Sequence, residues 1–446
     1  MPTPTGSNPL PRPLRSRRLA VLSMLAVAVA LPVAAALPAG AATRPTPTTP
    51  VTSPWANFTL TRASLTSGGQ QVNASSGFAN ISGDGTRVVF RTTATNVWPA
   101  PMTVVRNRAT GALSPVTLTK DGQPSGFGQV IRSSISGDGR YVAFCSMAND
   151  LVPGQPPYEF AIRVFVRDTV TGTTVLASVD ETGKQFTGDS APPILSADGR
   201  SVAFITGTQV YVRDLAAGRT IKASIPPANE TWPYGVNLGT PSLSADGRKV
   251  AFARDNGTSA ISVYVRDLVA GTTRLVSVDR SGQSVATSDT APDLSANGRY
   301  VTFATSAPNI VATADPGAKV QVYRRDLVTG TNTRISVNGS GVPGNDTSNG
   351  ATISGTGRFV AFVSAASNLV TGDTNGVLDI FVRDVDAGTT TRVSVTVNGA
   401  PPDQPSPYLA AFISDTGRSV LFQSTSTNLV ANDTNYAEDV FVADAR

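Results

Sequence analysis

The chain has 446 residues, 36 Lys and Arg against 31 Asp and Glu, no His, one Cys and a formal charge of +5. Without His there is no Ser-His-Asp or Cys-His nucleophile, no His-based acid–base pair and no ordinary zinc site. A single cysteine, Cys145, excludes an internal disulfide, so the fold must rest on its apolar core, for which the length is ample.

Residues 1–41 read as a targeting segment. Arg12, Arg15, Arg17 and Arg18 form a positive start, Leu19 to Ala36 is apolar, and Ala39-Gly40-Ala41 fits a small-x-small cleavage site. The stretch is long enough to span a bilayer if kept, but Pro32 and Pro38 favour removal over a lasting anchor. Arg17-Arg18-Leu19 is a weak twin-arginine match, which leaves the export route open. The segment holds four of the 36 basic residues and no acid, so removal leaves 32 against 31, a net charge of +1. Such a neutral domain has no electrostatic footprint for nucleic acid or anionic lipid. Residues 42–56, rich in Pro and Thr, read as an extended, mobile linker before a domain at 57–446.

In that domain one phrase returns seven times. A turn ends at Gly85, Gly139, Gly199, Gly247, Gly298, Gly357 and Gly417, with Val three residues on and Phe five residues on in every copy. The copies lie 48 to 60 residues apart. Val and Phe two apart share one face of a strand, so each phrase is a strand, a turn and a strand with a buried face. Thr356 and Thr416 precede the last two Gly residues, and β-branched Thr resists a type I′ turn. A type I turn followed by left-handed Gly fits all seven.

A third strand follows, as in Val210 to Asp214 or Ile380 to Asp384, whose closing Asp suits backbone N–H groups in the next turn. A fourth follows that, as in Thr272 to Val278. Four antiparallel strands per repeat, with no helical period, describe the blades of a propeller. The seventh copy reaches Arg446 after its third strand, while Thr61 to Leu65 matches Thr333 to Val337, the fourth strand of blade five. The N-terminal strand is therefore expected to complete the last blade and close the ring, leaving no open edge. The predicted fold is all-β: a seven-bladed β-propeller of four-stranded blades.

The run Leu-Ser-Ala-Asp-Gly-Arg-x-Val-Ala-Phe, followed by Val-Tyr-Val-Arg-Asp-Leu-x-x-Gly, resembles the WD-like propeller repeats of TolB-type exported bacterial proteins over roughly residues 57–446. The resemblance implies a fold and not an activity, since propellers host many functions. TolB itself looks like an α/β domain plus six blades, against seven copies here, so its partners are not carried over.

The candidate sites lie in the connections. In a propeller, the first-to-second and third-to-fourth turns share one face. The second-to-third loops and blade-to-blade connections share the other, and here that set is long and variable. Variable loops on a rigid face are where binding sits. That face collects Trp98, Tyr158, Trp232, Tyr234, Tyr408 and Tyr436, aromatic platforms suited to sugars or peptide side chains; the competing reading makes them loop anchors. Asp373, Asn375 and Asp379, and likewise Asp433, Asn435 and Asp439, offer three hard oxygens at Asp-x-Asn-x-x-x-Asp spacing, which would suit calcium. The same residues suit Asx turns, and the sequence favours that reading. Arg140, Arg200, Arg248, Arg299, Arg358 and Arg418 recur after the turn Gly and are expected to pair with blade carboxylates.

The expected function is an exported, non-catalytic and monomeric propeller, secreted or periplasmic. It would bind an envelope or extracellular protein or glycan, with no nucleic-acid partner, no stable membrane span and no cofactor unless calcium. The alternative is a carboxylate-based carbohydrate-active lyase or hydrolase at the channel.

Overall fold

The computed structural model describes residues 51–125, 132–155, 161–190, 192–228, 230–232, 236–255, 260–288, 290–313, 319–404 and 411–446; side chains 236–238 are left aside. Met1–Thr49 forms one unit and Pro50–Arg446 another, and the predicted targeting segment lies outside the described residues.

The second unit is a ring of seven antiparallel sheets of four strands each. Six blades run in chain order from inner to outer strand, beginning at Ser76–Ile81, Ser133–Ile135, Ile194–Leu195, Val236–Leu243, Asp293–Leu294 and Ser348–Ile353. The seventh takes Phe412–Ile413, Ser419–Ser424 and Asp439–Ala445 from the end of the chain and its outer strand, Phe58–Arg62, from the start. The register runs from Phe58 opposite Ala445 to Arg62 opposite Phe441, so the N-terminal strand closes the ring.

The repeated residues build this architecture directly. All seven Val of the phrase are fully buried, and each Phe is at most 1% exposed. Six of the seven Phe stack on an aromatic of the third strand at 5.7–6.1 Å, the pairs being Phe144–Phe165, Phe204–Tyr211, Phe252–Tyr264, Phe303–Tyr323, Phe362–Phe381 and Phe422–Phe441. Cores form between blades: Val88 and Phe90 of blade 1 pack with Leu421, Val440 and Val442 of blade 7. Cys145 is fully buried in its strand. The seven turn Gly residues have φ of +64° to +79°, the left-handed geometry expected after a type I turn.

The turn Ser does more than fill a turn. Ser136 Oγ donates to Asp138 at 2.6 Å and accepts from the N–H of Tyr141 at 3.0 Å, and Ser82, Ser196, Ser244 and Ser295 repeat the arrangement. Ser354 and Ser414 accept the same N–H in the two copies where Thr replaces Asp. The third-strand Asp holds the next turn, as Asp168 Oδ1 accepts from Val170 N at 2.9 Å and Thr171 N at 3.2 Å. Arg140, Arg299 and Arg358 pair with Asp168, Asp326 and Asp384 at 2.6, 2.7 and 2.7 Å, which holds all three carboxyls below the usual range. Arg248 instead lies 3.7 Å from Asp246 in its own turn.

The expected linker ends earlier than residue 57. Pro54–Ala56 form a 3-10 turn, Trp55 is fully buried, and its indole N–H donates to the Gly417 carbonyl at 3.0 Å. Trp55 packs in the core between blades 6 and 7 with Phe359, Val382 and Phe441. A tryptophan in a Pro/Thr-rich stretch marks a docking point, and its burial outweighs the extended preference of its neighbours.

Candidate functional site

The two faces of the ring differ. On the turn face, backbone hydrogen bonds link every blade to the next around the axis. Asp84 N donates to Gly137 O, Gly137 N to Ala197 O, Asp198 N to Ala245 O and Ala245 N to Ala296 O, at 2.8–3.1 Å. Asn297 N donates to Gly355 O, Gly355 N to Asp415 O and Thr416 N back to Gly83 O, at 2.9–3.1 Å. The axial residues of this ring are Gly83, Gly137, Ala197, Ala245, Ala296, Gly355 and Asp415. They are small because they crowd: a Cβ on Gly137 would lie 3.1 Å from that of Ala197, and one on Gly83 would collide with Oδ2 of Asp415.

Above this ring, inner strands from all seven blades line an axial cavity of about 460 Å³. Its wall is mostly apolar, with Ile81, Ile135, Leu195, Leu243, Leu294 and Ile353, and with Phe78, Pro192 and Pro292 toward the long-loop end. Two carboxylates line it, Asp293 and Asp415. Asp293 Oδ2 accepts from Ile353 N and Oδ1 from Ser242 Oγ, both at 2.8 Å, strapping blades 4, 5 and 6 together. Burial pushes its carboxyl up to about 6, with a smaller push from Asp415. Asp415 is also raised by burial, and none of the described residues donates to its carboxylate. Glu438, beside the bare Cα of Gly77, is pushed up to about 7 by burial although Gln423 Nε2 donates to it at 3.0 Å.

The long-loop face is less variable than its sequence suggested. Six of the seven blade-to-blade connections carry the same small turn, closed by hydrogen bonds from Thr66, Thr119, Asp180, Asp279, Asn338 and Thr396 to the carbonyl four residues on. Its left-handed Gly residues are Gly69, Gly122, Gly183, Gly282, Gly341 and Gly399. The signal was present as a polar residue three before each of these Gly, but it was masked by stronger strand patterns nearby. The described residues of the connection between blades 3 and 4, which joins Lys222 to Val236, do not form this turn, and the neighbouring second-to-third loop of blade 3 shrinks to Gly207-Thr208.

Trp232 lies in that exceptional connection. It meets Tyr264 edge-on at 4.8 Å and Phe252 at 6.2 Å, Arg254 covers its ring at 4.6 Å, and its N–H donates to Glu230 at 3.2 Å. Trp98 is partly buried against the core shared by blades 7 and 1. Both rings pack against the blades. Tyr436 is 85% exposed at φ +52°, and Phe78 is 40% exposed at φ +51° on the inner strand of blade 1. Tyr158, Tyr234 and Tyr408 lie outside the described residues.

The two loops with calcium-like spacing come together around arginines. Arg392 Nη1 lies 3.0 Å from Asp373 and 3.2 Å from Asp379, while Asn375 and Ser394 also donate to Asp379. In blade 7, Arg62 lies 3.0 Å from Asp433 and 3.2 Å from Asp439; Gln71 donates to both carboxylates and Asn435 turns to the backbone of Val72 and Ala437. Asp379 and Asp439 stand where blades 3 and 5 place Gln209 and Gln321, all four accepting from a Ser two residues past the outer strand. No cluster of three or more metal-ligating side chains of the His, Cys, Asp and Glu types occurs among the described residues.

No protein-family model matches the chain, and no curated protein matches it. Among solved structures, the β-propeller domain of the Trilobed protease from Pyrococcus furiosus, described as having an open velcro topology, matches at 12% identity over 84% of this chain and 96% of that one, with a TM-score of 0.50. TolB from Acinetobacter baumannii matches at 15% identity over 82% and 78%, with a TM-score of 0.40. Dipeptidyl peptidase 4 from Porphyromonas gingivalis matches at 13% over 78% and 56%, with a TM-score of 0.44. The likeness to the Trilobed protease domain bears on the fold and on no activity. No helix among the described residues is long and apolar enough to cross a membrane. The chain is a seven-bladed β-propeller with TolB proteins among its structural neighbours.

Proposed function

We propose that the protein is an exported, non-catalytic propeller that binds a protein or glycan of the cell envelope or extracellular space through its long-loop face. The observation that carries this reading is the inequality of the two faces. The turn face is uniform and laced by its ring of backbone hydrogen bonds. The long-loop face carries a connection, between blades 3 and 4, whose described residues lack the turn shared by the other six, and the exposed rings of Phe78 and Tyr436 on neighbouring blades 1 and 7. Exposed aromatic surface on a rigid rim is a binding signature. Export rests on the targeting pattern of residues 1–41, and the near-neutral charge of residues 42–446 favours no polyanionic partner.

The test is a glycan array and a peptide array probed with the wild type, with Phe78→Ala/Tyr436→Ala and with the turn-face variant Val269→Ser. Binding that falls at least tenfold in the double variant and persists in Val269→Ser supports the reading. Equal binding by all three proteins refutes it.

The second reading, a carbohydrate-active lyase or hydrolase, is favoured by one observation: two carboxylates with raised pKa line the same channel. Incubation with acidic and neutral polysaccharides, with assays for unsaturated and reducing ends, tests it. Product formation abolished by Asp415→Asn would establish it, and no product from any polysaccharide would remove it.

A further inference from the structure

We propose that the axial channel holds an apolar chain ending in an ammonium group, with the ammonium seated on Asp415 at the turn-face end. This rests on the binding reading above and assigns that channel a ligand chemistry.

The cavity has ligand size: about 460 Å³, within the roughly 300–1,000 Å³ of small-molecule pockets. Its wall offers aliphatic side chains at every blade, so an alkyl stem would be desolvated along its length. The charge at its end has no structural reason. Six of the seven axial ring positions hold Gly or Ala and complete the same hydrogen-bond ring with their backbone alone. Asp415 takes part through its carbonyl, accepting from Gly355 N at 2.9 Å, so its side chain is surplus to the ring. Gly83 leaves the space that the carboxylate occupies.

The carboxylate itself is unsatisfied. None of the described residues donates a hydrogen bond to it or pairs with it as a cation. Asp293, by contrast, has Ser242 and Ile353 as donors. Arg132, the one basic residue lining the cavity among the described residues, precedes the inner strand of blade 2 and so stands at the opposite, long-loop end. The carboxylate is half-buried and has no donor, so it keeps only part of its hydration, and a cation delivered on an apolar stem meets it where a neutral or anionic ligand would not. An ammonium, as a compact charge with three donors, suits a narrow channel end better than a planar guanidinium. Such a group arrives either as a free alkylamine or as a lysine side chain of a partner protein.

The experiment is calorimetric titration of the purified protein with hexylammonium, hexan-1-ol and hexanoate, and with the peptide acetyl-Gly-Gly-Lys-Gly-Gly-amide. Hexylammonium or the lysine peptide should bind, and hexanol and hexanoate should bind at least tenfold more weakly. Which of the two cationic probes binds tells a free amine from a protein side chain. Asp415→Asn and Asp415→Ala should each cost at least tenfold; the second restores the residue type of Ala197, Ala245 and Ala296, so it keeps a ring that already folds with Ala. Equal affinity for hexanol, unchanged affinity in both variants, or no binding of either cationic probe overturns the proposal. Tyr436→Ala alone, at a residue that does not line the cavity, reads the long-loop rim separately in the array experiment above, so failure here leaves that reading standing on its own result.

Discussion

Glu438 illustrates what a single residue can store. Its carboxyl is raised to about 7 by burial beside Gly77, with Gln423 as its donor. A carboxyl raised above its unfolded value makes the folded state hold the extra proton, so stability is greatest below about 4.5 and declines as pH rises through about 7. Glu438→Gln mimics the protonated form and keeps an amide opposite Gln423. Its melting temperature should exceed that of the wild type at pH 8 and match it at pH 4.5; a pH-independent difference would show that the carboxyl does not titrate there. Trp55→Ala should destabilise by ~3–5 kcal/mol, the usual range for a buried aromatic, measured by urea unfolding. The repeated Val and Phe were legible because a strand period points them to one face. The role of the turn Ser was not, because its partners, two and five residues on, are named only by the turn geometry.

At the scale of the loop and strand, local spacing leaves out the distant residues that meet these carboxylates. Asp373 and Asp379 have a spacing that would suit calcium, although the sequence favours Asx turns; Arg392 arrives from the outer strand, and Arg62 does the same for Asp433 and Asp439 from the far end of the chain. The arginine positions were visible in the sequence; their direction was not. Removing one partner of a buried ion pair costs about 3–5 kcal/mol because the other charge stays buried. Arg392→Met should therefore destabilise strongly, and millimolar calcium should recover part of the loss by meeting the vacated carboxylates. The wild type should show no calcium-dependent shift in melting temperature, since its guanidinium already supplies the charge. A clear shift in the wild type would revive the calcium reading. The aromatic candidates also differ in packing that no spacing rule reveals: Trp98 and Trp232 pack against the blades, whereas Tyr436 stays exposed.

The whole ring was legible because a period repeated seven times leaves few architectures, and the mismatch between the chain's two ends pointed to their pairing. The channel was not legible, because each blade adds only a few bland residues to it and the odd one, Asp415, stands out only once seven turns are superposed around an axis. Closure can be tested at this scale. A chain lacking everything up to Arg62 loses Trp55, the strand opposite Asp439–Ala445 and the arginine between Asp433 and Asp439. It exposes a bare edge, which invites pairing with another copy. Such a chain should lose at least about 5 kcal/mol, judged from the buried aromatic and ion-pair losses together, and should elute as dimers or larger species. A synthetic peptide spanning Val51–Thr66 should bind the truncated chain, restore the monomer and recover most of the melting temperature, because register and partners are specified by side chains and not by covalent continuity. A truncated chain that stays monomeric and as stable as the whole would mean that the ring is held by blade-to-blade cores and the axial hydrogen bonds alone, with the N-terminal strand an ornament.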